Sequence, residues 1–167
     1  MANTHGVIIG TSCAFWDIDS LNLVGINSSA DLDNGTFVTL GDIVNTSGVI
    51  DEYVFAVSAG SGADYVVATP PVGYDFDSQL YDDPRYFYNK QGLPMSVKRL
   101  LVGDCIEVTN ACFSTAPTLG TSTVATVSSG KLVAAASGDS APFKILGQKS
   151  IDIGGEAVTT WVLMKVA

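Results

Sequence analysis

The chain reads as an all-β protein, a compact sandwich or barrel of short antiparallel strands with an extended N-terminal arm and little helix. Three observations predict this. Short runs rich in valine, isoleucine, threonine and aromatic residues recur along its 167 residues, the composition that fits a pleated, half-buried surface. Turn-forming pairs separate those runs: Asn34-Gly35, Gly41-Asp42, Ser129-Gly130 and Gly154-Gly155. No segment carries a sustained 3.6-residue apolar period, and strands without helices to cover them must pack sheet on sheet or close on themselves.

Residues 1–30 hold two apolar stretches, Val7 to Ile9 and Leu21 to Ile26, broken by Gly10, Gly25 and an Asp-rich connection around Trp16. They are expected to form an arm or edge hairpin ahead of a β domain spanning 31–167, or of two small β lobes divided near 94–100. Asn34-Gly35 predicts a tight hairpin, since a type I′ turn needs positive φ at both central residues. Thr36 to Leu40 then alternates into a second turn at Gly41-Asp42. Tyr53 to Val57 and Tyr65 to Thr69 are strands around the Gly60-Ser61-Gly62 loop, and Pro70-Pro71 ends the second because neither residue donates to a ladder. A helical turn or two is expected at 77–86. Met95 to Leu101 leads through Gly103-Asp104 into Cys105 to Thr109, where Ile106 and Val108 share one face and Cys105 and Glu107 the other. Thr121 to Val127, the Ser129-Gly130 turn, Lys131 to Ala135, Phe143 to Leu146, the Gly154-Gly155 turn and Ala157 to Val166 complete the order. Residues 114–129, rich in Thr, Ser and Ala, read as a loop or a plain surface strand.

Charge narrows the function. Hydrophobic residues make up 47% and charged residues 15%, too little charge for a surface fully covered by solvated groups and an indication of surface buried against partners. The net charge of -9 repels nucleic acid and anionic membranes. All eight bases follow position 84, while residues 1–84 hold twelve of the seventeen acids, so the two halves suit different neighbours. Three cysteines without CxxC spacing imply neither a disulfide framework nor a zinc site, and suit folding in a reducing cytoplasm. The N-terminus lacks a basic n-region, and no apolar run reaches the length of a membrane span.

Searching for chemistry yields no catalytic residue, metal ligand or cofactor. His5 is the sole histidine, so a Ser-His-Asp or Cys-His arrangement would have to use a residue in the arm. Gly130-Lys131 lacks the remainder of a phosphate loop, and Gly60-x-Gly62 lacks the third glycine of a dinucleotide site. Asp75, Asp77, Asp82 and Asp83 fail the spacing of a calcium loop and read as a solvated acidic loop. The densest signal is 81–109, where Tyr81, Tyr86, Phe87 and Tyr88 stand beside Arg85, Lys90, Lys98 and Arg99. Tyr, Phe and Arg are the residues enriched at protein interfaces.

Residues 31–40 (DLDNGTFVTL), 81–94 (YDDPRYFYNKQGLP) and 99–109 (RLLVGDCIEVT) together resemble, in order and spacing, a family of tailed-bacteriophage head proteins encoded beside the major capsid protein. That resemblance implies a capsid decoration, or cement, protein: a non-enzymatic subunit on the outer surface of the virion, with the major capsid protein and itself as partners, as a homotrimer or a dimer. Nucleic acid, membrane and cofactors are not implied. On this reading Arg85, Tyr86, Phe87, Tyr88, Lys90, Lys98 and Arg99 form the capsid or subunit interface, and Phe15 and Trp16 provide arm contacts to a neighbour. The competing expectation is a β-sandwich carbohydrate-binding or head-fibre module that uses the same aromatics as a sugar platform.

Overall fold

The protein is described by a computed structural model covering residues 5–16, 18–44, 53–71, 84, 86–137 and 140–167. Its twelve described strands are β1 Ile8–Ser12, β2 Asn22–Ile26, β3 Val38–Ile43, β4 Val54–Ala59, β5 Tyr65–Val67, β6 Pro94–Arg99, β7 Cys105–Thr109, β8 Phe113–Thr115, β9 Val124–Ser128, β10 Lys131–Ala135, β11 Phe143–Ile153 and β12 Glu156–Lys165. Helix is limited among the described residues to single 3-10 turns at Ala14–Trp16, Asp19–Leu21 and Asn110–Cys112. Of the turn expected at 77–86 only Pro84 and Tyr86 are among the described residues, and the rest lies outside them. The all-β class is as the sequence predicts.

Two sheets share the strands: β1-β7-β12-β11-β9-β10-β8 and β3-β4-β2-β6-β5. In the second, the edges meet. Phe37, just before β3, bridges Val66 of β5, and the Val67 amide donates to the Thr36 carbonyl at 2.9 Å, so the sheet curls into a nearly closed barrel. Alternation along each strand then turns Val38, Val57, Val67, Met95 and Val97 inward as one buried cluster with Leu32. Gly25 has no side chain for a steric reason: a Cβ there would stand 2.8 Å from methyls of both Val57 and Val97. The larger core lies between the sheets, where Ile106, Val108, Phe143, Trp161 and Leu163 meet Phe15, Leu21, Phe37, Val66 and Leu100. Phe37 and Phe143 stack edge to face with centroids 5.3 Å apart.

Several expectations change in three dimensions. Residues 8–26 are not an arm, because β1 is the edge strand of the seven-stranded sheet and β2 the central strand of the barrel. The apolar runs there have a core to enter, and burial outweighs the glycines between them. Near the expected division at 94–100 the chain passes from one sheet to the other, after β6, while Phe37, Val66 and Leu100 on one side pack in the same core as Ile106 and Phe143 on the other. The strands are not uniformly antiparallel: β2 with β4, and β8 with β10, run parallel, because a hairpin partner intervenes between the members of each pair and returns the chain in the same direction. Asn34-Gly35 is a turn without a hairpin. Only Gly35 has positive φ, at 82°, and the strands it joins pair elsewhere, Leu32 with Asn89 and Phe37 with Val66. Gly41 and Asp42 lie inside β3 at a bulge between Leu40 and Ile43, not in a turn.

Other turns follow the chemistry. Ser129 and Gly130, with φ of 49° and 80°, close the β9–β10 hairpin, and Gly154 and Gly155, at 60° and 83°, close β11–β12, both in the positive-φ pattern of two-residue hairpins. The barrel interior supplies the first prediction. Gly25→Ala should cost about 1–3 kcal/mol of unfolding free energy by urea titration, and a variant as stable as the parent would contradict the packing.

Candidate functional site

Strand register places five side chains at one end of the barrel. Tyr65 pairs with Arg99, and Leu23 pairs with Val97 across from β6. In the parallel β2–β4 pair Val24 lies beside Val54 and Gly25 beside Phe55, which sets Tyr53 next to Leu23. Alternation gives Leu23, Tyr53, Phe55, Tyr65 and Arg99 the same sidedness as the barrel lining. Leu23, Phe55 and Tyr65 are half-buried against the interior cluster, Arg99 is exposed, and Tyr53 is 78% exposed. Beyond β3 the exposed Val44 is tied to this end by its amide, which donates to the Val54 carbonyl at 2.7 Å.

The opposite end is plugged. Leu32 fills it, and the Asn34 and Asn89 side chains, both buried, close over it. Asn34 Nδ2 donates to the Thr69 carbonyl at 2.8 Å, the Thr69 amide donates to Asn34 Oδ1 at 3.0 Å, and Asn89 Nδ2 donates to the Leu32 carbonyl at 3.0 Å and to Asn34 Oδ1 at 3.2 Å. The two ends therefore differ: one is closed by Leu32, Asn34 and Asn89, and the other, the mouth, carries the half-buried Leu23, Phe55 and Tyr65 beside the exposed Tyr53 and Arg99.

The expected interface residues do not assemble into one patch. Arg85 and the side chain of Trp16 lie outside the described residues. Phe15 is 1% exposed in the inter-sheet core, so it packs within its own chain and is not an arm contact. Lys98 is 8% exposed; its Nζ donates to Asn22 Oδ1, and desolvation lowers its pKa from the ordinary lysine value. It is a framework residue because its strand neighbour Val97 faces the barrel interior, which turns Lys98 towards the Asp19–Leu21 segment. Tyr86 and Phe87 are half-buried, and the ring of Tyr88 stacks on His5. Lys90 is exposed in a turn docked on residues 27–31 through Gln91 N to Asp31 Oδ1 at 2.7 Å and Gly92 N to the Asn27 carbonyl at 2.7 Å. Lys90 lies in the turn before β6 and Arg99 is the last residue of that strand, whose ends Pro94 and Arg99 are about 17 Å apart at 3.3 Å per residue. Of the described residues of the expected set, only Arg99 stands exposed at the mouth.

The motif residues of the three resembling segments instead hold the fold together. Asn34 and Asn89 join the first segment to the second. In the third, Asp104 is buried and accepts the Ala14 amide at 2.8 Å and the Leu101 amide at 2.7 Å, and Glu107, buried on the outer face of its sheet, accepts from Thr160 Oγ1 and pairs with Lys149 Nζ at 3.0 Å. Lys165 ties the sheets, its buried Nζ bonding Asp64 and the Leu100 carbonyl. Leu23, Tyr53, Phe55 and Tyr65 escaped the sequence reading; the tyrosine opening each of two neighbouring strands was their only signal.

Among the described residues no three His, Cys, Asp or Glu side chains gather as a metal site, and no helix is long and apolar enough to cross a membrane. None of the three cysteines is in a disulfide. Cys112 is wholly buried against the Val7 and Asn34 carbonyls, and desolvation pushes its pKa up to about 11. The fold is all-β, with a barrel closed at one end by Leu32, Asn34 and Asn89 and carrying Tyr53 and Arg99 exposed at the other. No family model, curated protein or solved structure matches the chain.

Cysteine accessibility tests this packing. Cys105, half-exposed, should take up iodoacetamide in the native protein, whereas Cys13 and Cys112 should react only on unfolding. Native labelling of Cys112 as fast as Cys105 would contradict the described core.

Proposed function

We propose that the chain is a decoration protein of a tailed-bacteriophage head, a non-enzymatic subunit that binds the outer surface of the mature shell and holds neighbouring capsomers together. One observation carries the reading beyond the resemblance of residues 31–40, 81–94 and 99–109: the open barrel mouth, where Tyr53, Phe55, Tyr65, Leu23 and Arg99 stand together. Tyr and Arg are the residue types that most often dominate interface energetics, and a partly buried apolar ring with an exposed tyrosine at its rim is the arrangement of an anchor. The major capsid protein is the partner on this reading, and self-association as a trimer or dimer would multiply weak contacts by avidity. A subunit that binds only the mature lattice stabilises that lattice by mass action. The interface is thereby moved from residues 85–99 to the mouth, with Arg99 common to both.

A carbohydrate-binding module is the second reading, because an exposed tyrosine beside an arginine also suits stacking on a sugar. Both readings place their contacts at the mouth, so one variant serves both. Tyr53→Ser combined with Arg99→Glu should lower occupancy on mature capsids at least about ten-fold while leaving the unfolding midpoint within a few degrees of the parent. Unchanged occupancy would overturn the assignment, and parental binding to a glycan array that the variant loses would favour the sugar reading.

A further inference from the structure

The outer face of the seven-stranded sheet is apolar where a solvated face should alternate to polar residues. Register sets Met164 of β12 beside Lys144 of β11, Lys144 beside Val124 of β9, and Val124 beside Ala135 of β10. These four side chains form one row across four strands. Their chain neighbours Leu163, Phe143, Ala125 and Ala134 pack in the core between the sheets, so alternation turns the row outward. Val162 lies on the same face as Met164, beside Gly147, and the bulge between Ile145 and Gly147 adds Leu146, which is 50% exposed. Val124, Ala135, Val162 and Met164 are half-buried, and Lys144 is exposed. Contiguous apolar groups that reach solvent mark an interaction surface, and methionine is enriched at such surfaces.

Lys144 decides what can cover this face. A contact that closes over the row takes its ammonium out of water, which is costly unless the occupant brings a carboxylate. Packing the face on itself about a two-fold would instead bring two such ammonium groups into one contact. The chain itself supplies the complement, since residues 1–84 hold twelve acids and no base, and Asp19, Asp31 and Asp42 are exposed on or beside β2 and β3. We propose that this face docks on the acid-bearing barrel of a second copy of the chain, in a head-to-tail contact with Lys144 paired to a carboxylate. Such a contact uses two different surfaces, and every copy carries both. The face belongs to the larger sheet and the mouth to the barrel, so the contact goes beyond the capsid reading and does not depend on what the mouth binds.

The test is sedimentation velocity of the full chain alone, across a dilution series up to about 100 μM, with Leu146→Asp and Lys144→Glu measured beside the parent. The parent should sediment as more than one chain at the upper end, and each variant should need at least about ten-fold more protein to do so. A monomeric parent, or variants that associate as the parent does, would overturn the contact. A dye-labelled trace of Leu146→Asp, which keeps its acid-bearing barrel, should join the parent's assemblies while failing to associate with itself. Exclusion of the labelled variant from those assemblies would mean that the face pairs with itself, and would overturn the head-to-tail arrangement. Leu146 and Lys144 are both exposed, so the unfolding midpoint should stay near the parent's; if Leu146→Asp lowers it, Lys144→Glu decides. No capsid is present in this assay, so its failure leaves the capsid reading to the occupancy measurement.

Discussion

Residues 32–37 are the constraint on which the rest of this structure depends. They belong to neither sheet as a strand, yet their hydrogen bonds go to both. The Asn34 carboxamide imitates a backbone unit, taking both the amide and the carbonyl of Thr69 and so prolonging the line of β5. The Gly35 amide donates to the Val67 carbonyl at 2.8 Å, and the Phe37 amide reaches across to the Gly130 carbonyl at 2.9 Å in the β9–β10 turn. Gly60 donates to the Phe37 carbonyl and accepts from Gly130, closing a main-chain ring between the sheets. The approach is so close that a Cβ on Gly130 would meet Ala59 and Thr36 at 2.9 Å. Each of these buried polar groups would cost about 1–3 kcal/mol if left without its partner, so the segment fixes the relative placement of the two sheets.

That placement determines what the surface can do. The 32–37 segment and Asn89 fill one end of the barrel, and Lys165, reaching Asp64 and the Leu100 carbonyl, fastens the other side to the larger sheet. The end around Tyr53 and Arg99 shares in this joining, since Asp64 and Leu100 are the chain neighbours of Tyr65 and Arg99. Of the bases in the second half of the chain, Lys98 and Lys165 are buried and add no charge to a contact surface.

Local structure was legible wherever local chemistry decides it. Cys105 to Thr109 and Lys131 to Ala135 are strands with the expected limits, and Ser129-Gly130 and Gly154-Gly155 turn as their composition requires. Asn34-Gly35 misled because the same pair serves any turn with one left-handed residue, and the destination of the flanking strands is a tertiary matter. Phe15 and Lys98 misled for a related reason: an apolar residue in an apparent arm and a cation beside aromatics look available until the strands around them are assembled. The mouth was not legible at all. It depends on the parallel register of β2 with β4 and on closure at Phe37 and Val66, and neither leaves a pattern within a single strand. The segments that carry the resemblance were legible as sequence alone, and in the structure their Asn34, Asn89 and Asp104 are joints of the framework.

The most direct test of this account is the Asn34→Ala variant, followed by denaturant unfolding and amide exchange in both sheets. Removal of the carboxamide should cost about 3 kcal/mol, since it leaves the part-buried Thr69 amide and carbonyl and the buried Asn89 donor short of partners. Protection should fall in β5 and in the β9–β10 hairpin together. A loss below about 1 kcal/mol, or one confined to the barrel strands, would contradict the claim that this segment joins the two sheets.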